Sequence, residues 1–245
     1  MKLKVIIFDF DGTIANTFDT LAKIINRLAT EFGYLPASPE KIAEFRNSTA
    51  SHIVQSSGVS IFQLPFIIKK VKRELNQEIH LLKPIDGIKE VLIDLHEQGY
   101  QLGIITSNSA ENVEAFLSSN NLKYLFSFLS SGTTLFGKNR IINKFLRQQN
   151  LRLEQAIYVG DEIRDIEAAK RSNIKVIAVS WGFNSKEILA QHEPDFLIDE
   201  PKQLREAIAS LQVQLLGKEK GQEYAPSAGC ANRSSGVQEF RSLGV

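Results

Sequence analysis

Residues 3–8 form an apolar run, interrupted only by Lys4 and rich in β-branched side chains, and the run stops at Asp9-Phe10-Asp11-Gly12-Thr13. A run of this kind describes a strand covered on both faces, as in a parallel sheet. Similar runs recur at 102–106, 156–159 and 176–179, separated by segments of helical periodicity. Ile88, Val91, Leu92 and Leu95 share one helical face, as do Ile142, Phe145 and Leu146, and later Leu204, Ile208, Leu211 and Leu215. Alternating strands and helices predict an α/β fold, a doubly wound, Rossmann-like parallel sheet. Ligands of such sheets bind outside the carboxyl ends of the strands, and Asp9, Thr106 and Asp161 sit at or just past such ends.

The strand pattern lapses between Ile14 and Leu82. Amphipathic helices replace it, with Leu21, Ile24, Ile25, Leu28 and Phe32 on one face and Ile67, Ile68, Val71, Leu75 and Ile79 on another. The expected organisation is a core of residues 1–13 and 83–216 with a helical cap inserted at 14–82. Lys83-Pro84 marks the return to the core. From Gly217 periodicity gives way to Gly, Ser, Ala and charged residues, which predicts a disordered tail over 217–245. A cap beside the tip of the first strand is placed to cover whatever that tip binds.

The chain has 245 residues, and its 29 basic and 28 acidic side chains nearly cancel, so no overall field points to nucleic acid or an anionic membrane. The expected partner is a small molecule. The first apolar run is broken by Asp9 and Asp11, no cleavage site follows, and no apolar stretch approaches the roughly 20 residues of a membrane span. With Cys230 as the only cysteine, disulfides within the chain and Cys-rich zinc sites are excluded, consistent with an expected cytoplasmic location.

Asp9 and Asp11 lie two residues apart at the tip of a buried strand, where packing alone disfavours charge. In extended chain their side chains point to one side. Gly12 permits a sharp departure, and Thr13 can tie the turn through its hydroxyl. The rival readings are a solvated acidic turn and a calcium loop; the latter lacks its glycine and glutamate at the required places. Thr106-Ser107-Asn108-Ser109 ends the second strand with hydroxyls and amides before a helix start, a combination suited to phosphate oxygens. Lys138 precedes a helix and offers a compact cation, although an isolated lysine is commonly a surface residue. Gly160-Asp161-Glu162-Ile163-Arg164-Asp165 ends another strand with carboxylates one helical turn apart, hard oxygen ligands suited to Mg²⁺ or, alternatively, helix-capping acids.

This order of motifs resembles the haloacid dehalogenase superfamily, specifically phosphoglycolate-phosphatase-like members with a helical cap after the first motif. The likeness runs from Lys4 to about Leu211 and includes Ser180-Trp181-Gly182-Phe183. It implies a Mg²⁺-dependent phosphatase in which Asp9 is the nucleophile and Asp11 the general acid and base. The metal would be held by Asp9, the Asp11 carbonyl and Asp161, with Asp165 orienting the metal shell or Lys138. Thr106, the Ser107 backbone and Lys138 would hold the phosphoryl group. Glu162 either joins this group or faces water.

The presence of Asp11 favours phosphoryl transfer over dehalogenation, because halide needs no acid to depart. Arg46, at an apparent helix break in the cap, is a candidate for a substrate carboxylate or second phosphate, and also an ordinary helix-end arginine. Residues 58–60 form a candidate cap loop dipping toward the site. Trp181 reads as core or rim packing, and the four histidines as structural or surface residues. The expected reaction is hydrolysis of a small phosphate monoester. A β-phosphoglucomutase-type phosphomutase and a non-catalytic phosphate-binding regulator are the rival functions.

Overall fold

The computed structural model describes residues 2–131 and 137–223. Its centre is a six-stranded, all-parallel sheet: β1 (Val5–Phe8), β2 (Gln101–Ile105), β3 (Phe126–Ser130), β4 (Ala156–Gly160), β5 (Lys175–Val179) and β6 (Phe196–Ile198), in the order β3-β2-β1-β4-β5-β6. The order reverses at β1, which pairs with both β2 and β4. Consecutive residues of each central strand bury on opposite faces. Ile6 and Phe8, Leu102 and Ile104, and Ile157 and Val159 enter one core; Val5 and Ile7, Ile105, and Ala156 and Tyr158 enter the other. Burying each Ile or Val contributes about 1.5–3 kcal/mol, so a strand covered on both sides tolerates no polar residue until it ends.

Helices α5 (Ile88–Glu97), α6 (Ala110–Ser119), α7 (Lys138–Gln148), α8 (Ile163–Arg171), α9 (Lys186–Gln191) and α10 (Gln203–Glu223) accompany these strands. α10 runs on to Glu223, so the stretch read as tail begins inside a helix; residues 224–245 lie outside the described residues. The strands β3 and β6 carry no strong signal in the sequence. Both are sheet edges, only partly buried, and therefore lack a long apolar run.

Between β1 and α5 lie α1 (Phe18–Phe32), α2 (Pro39–Phe45), α3 (Ala50–Ser56) and α4 (Leu64–Glu78), followed by a 3₁₀ turn at Ile79–Leu81. Ser38 caps α2, with Pro39 in its first turn, and Thr49 caps α3, so the chain breaks helix at 46–49. The base of the cap is not a separate core: Ile24, Leu28, Leu75 and Ile79 pack into the same cluster as Ile6 and Phe8. Among the described residues, no helix is long and apolar enough to cross a membrane.

Candidate active site

Asp9 follows β1 directly, its backbone N–H bonded to the Val159 carbonyl at 2.9 Å. Its side chain is 1% exposed, and neither carboxylate oxygen accepts a hydrogen bond. Stranding such a group costs several kcal/mol unless positive charge is close. The Lys138 ammonium lies 3.1 Å from Asp9 Oδ1 and donates to Asp165 Oδ1 at 2.5 Å. Burial works against that ammonium, but Asp165 and Asp9 outweigh it and hold its pKa above the ordinary lysine value. The second oxygen of Asp165 accepts the Glu162 backbone N–H at 3.1 Å.

Asp161, just past β4, accepts from the Thr13 hydroxyl at 2.5 Å and from the Phe183 N–H at 2.7 Å. Thr13 thus does not tie its own turn as expected; it ties the first motif to Asp161. Two glycines let the backbone close around this carboxylate. Gly12 has a φ of 76°, and a Cβ there would lie 2.2 Å from Asp161 Oδ2; a Cβ at Gly182 would lie 2.1 Å from the same atom.

Carboxylate oxygens of Asp9, Asp161 and Asp165 come within 4.8 Å of one another. Burial, then the charges of Glu162, Asp9 and Asp165, push the Asp161 pKa well above the carboxylate range. Burial raises Asp165 to about 6 against the pull of Lys138. Buried, crowded carboxylates with two orphaned oxygens on Asp9 fit a hard divalent cation. The Asp11 side chain stands apart from this cluster. It accepts the Asn108 amide at 3.0 and 3.1 Å, and burial followed by the Asp9 charge raises its pKa to about 7, while Thr17 and Asn108 pull the other way.

Thr106 is buried and its hydroxyl accepts the Asn108 N–H at 3.1 Å. The Ser109 N–H goes to Asn108 Oδ1 and the Asn112 N–H to the Ser109 hydroxyl, so these amides are taken. The Ser107 N–H has no partner among the described residues.

A cavity of about 730 Å³ lies between cap and core, lined on the core side by Asp11, Ser107, Asn108 and Arg164. Val59, beside Gly58, lines it from the cap. Arg46 does not: its guanidinium donates to the Gly182 carbonyl at 2.7 Å and rests 5.1 Å from the Phe18 ring centre, fastening cap to core. Nor does Glu162 simply face water, since it pairs with Arg164 at 2.5 Å. Trp181 is partly buried against the core and donates to the Thr13 carbonyl at 3.2 Å.

The sequence reading assigned no role to Asn112, Arg164, Lys72 or Asn184, and read Asn108 as part of a phosphate-binding segment, whereas its amide donates to Asp11. Lys72 left a signal, a charge on the apolar side of α4; Asn184 left none, because its role lies entirely in contacts far along the chain.

The profile of haloacid dehalogenase-like hydrolases matches residues 6–179. The chain belongs to that family, and within it is a phosphatase. It is 35% identical over 212 residues to the phosphoglycolate phosphatase of Synechococcus elongatus, covering 86% of this chain and 100% of that one. It is 27% identical to the pyrophosphatase PpaX of Listeria monocytogenes, over 83% of this chain and 95% of that one. CbbY from Rhodobacter sphaeroides, solved in complex with phosphate, shares the fold with a TM-score of 0.67 at 20% identity, over 82% and 96% of the two chains.

Proposed function

We propose that this phosphatase hydrolyses a small phosphate monoester through an aspartyl-phosphate on Asp9, with phosphoglycolate the first candidate. The observation that carries this reading is Asp9 itself: a buried carboxylate whose oxygens accept no hydrogen bond, beside a lysine, with a carboxyl of pKa about 7 two residues on. An oxygen of Asp9 attacks phosphorus and the bond from phosphorus to the leaving oxygen breaks. The Asp11 carboxyl delivers its proton to that oxygen, and a pKa of about 7 keeps the proton available near neutral pH. Asp11, now a carboxylate, takes a proton from water as the water oxygen attacks phosphorus. Phosphate departs and Asp9 is restored.

Lys138, held between Asp9 and Asp165, faces the charge that develops on the phosphoryl oxygens; Thr106 and the Ser107 N–H orient them. Asp9, Asp161 and the Asp11 carbonyl are the groups that would hold Mg²⁺, while Asp165 acts through Lys138. Bound there, the metal supplies positive charge to the phosphoryl group.

The test is phosphate release from a panel of phosphorylated metabolites, with and without Mg²⁺, using Asp9→Asn as control. Release that needs Mg²⁺ and vanishes in the control is expected; equal release by the control overturns the mechanism.

A further inference from the structure

Leu64, Ile67, Ile68 and Val71 line the cavity from one side of α4, and Lys72 lies on that same side, half-buried and facing the same space. A charge on an apolar helix face requires a reason. Among the described residues, the Lys72 ammonium makes no hydrogen bond or ion pair, though it lies within electrostatic range of Asp11 and Arg164. The backbone that carries it is nevertheless anchored. The Lys72 carbonyl accepts the Asn112 side-chain amide at 3.0 Å; that amide also donates to Asn108 Oδ1 at 2.9 Å, and Asn108 donates to the Asp11 carboxyl at 3.0 Å. The turn of α4 that bears the lysine is thereby held in register with the acid that protonates the leaving group.

Arg164 enters the same cavity from the core side. One terminal nitrogen pairs with Glu162 and the other donates to the Ser107 hydroxyl at 3.4 Å, but Nε is buried without a partner. Among the charged residues that line this cavity, the cations Lys41, Lys72 and Arg164 outnumber the carboxyls Asp11 and Glu162 by one.

We propose that Lys72 and Arg164 form a subsite for a second negative charge carried by the leaving group. The proposal rests on the phosphatase reading above. An oxygen that receives its proton from Asp11 departs beside Asp11, so an anionic group attached close to it falls between these two cations. A carboxylate or a second phosphoryl group satisfies that chemistry, whereas a neutral alcohol offers nothing to the Lys72 ammonium or to the unpartnered Arg164 Nε.

The experiment compares kcat/KM for phosphoglycolate and 3-phosphoglycerate, for 1,3-propanediol bisphosphate, and for ethyl phosphate, in wild type, Lys72→Gln and Lys72→Glu. Wild type should favour the charged esters over ethyl phosphate by roughly tenfold or more, the scale of one charged hydrogen bond. Whichever arm carries the preference identifies the anion as carboxylate or phosphate. Lys72→Gln should shrink that ratio, mainly through KM, and Lys72→Glu should shift preference toward phosphoethanolamine, a gain that damage to the cap could not produce. Equal ratios in all three proteins, or no charge preference in wild type, would overturn the subsite while leaving the phosphatase standing. Silence toward every ester, p-nitrophenyl phosphate included, would overturn the reading on which it rests.

Discussion

The side-chain amide of Asn184 in the core donates to the backbone carbonyl of Arg46 in the cap at 3.1 Å. The same amide reaches the Ser48 carbonyl at 3.1 Å, its oxygen accepts the Ile163 N–H at 2.9 Å, and its own backbone N–H donates to the Asp161 carbonyl at 3.2 Å. One buried residue therefore joins the cap, the start of α8 and the strand end that bears Asp161. Asn184→Ala unpairs three backbone groups, at about 1–3 kcal/mol for each that stays dry. A fall in melting temperature of about 5 °C or more is expected, at roughly 2–4 °C per kcal/mol for a chain of this size. Circular dichroism measures the melt, and emission from Trp181, the only tryptophan, reports the loosened loop.

Asp9→Asn should reduce turnover about 10⁴-fold or more, as loss of a nucleophile does. The asparagine gives up the ion pair with Lys138 but relieves the repulsion of Asp9 on Asp161 and Asp165, so the melting temperature should not fall with the activity. Parallel loss of fold and turnover would show that Asp9 is structural.

Lys138→Ala leaves the buried carboxylates of Asp9 and Asp165 facing each other without their cation. Removing one member of a buried charge cluster costs about 3–5 kcal/mol. The variant should unfold at lower denaturant concentration in chelator, and Mg²⁺ should recover part of the loss by restoring positive charge. Urea melts with and without the metal test both halves.

Asp11 makes stability depend on pH in the metal-free protein. Its pKa rises from 3.8 to about 7 on folding, chiefly through burial. Below pH 3.8 the carboxyl is protonated in both states and contributes nothing. Between 3.8 and 7 the unfolded chain loses its proton while the folded one keeps it, so the group increasingly destabilises the fold as pH rises, and the penalty levels off above 7. Asp11→Asn should therefore stabilise the protein at pH 8, by a few kcal/mol at most, and not at pH 3. A melting temperature unchanged at both pH values would show that the Asp11 carboxyl is not perturbed.

The four central strands were legible in the sequence, because a strand buried on both faces must be an unbroken apolar run and must end where its polar residues begin. That rule alone placed Asp9, Thr106 and Asp161 at the carboxyl ends of the central strands, and helical periodicity read the cap as helices. Local pattern could not assign partners. Thr13 meets Asp161 across 148 positions of sequence, and Arg46 meets Gly182 across 136. Both pairings exist because β1 lies beside β4, β4 beside β5, and the cap folds down over the loop after β5. Folding turned Arg46 from a candidate substrate ligand into a fastening of cap to core, and turned Lys72 from an irregularity in an apolar stripe into a cation facing the cavity. Periodicity along a chain records which residues are buried together with their near neighbours; only the packing of distant segments decides which charges meet.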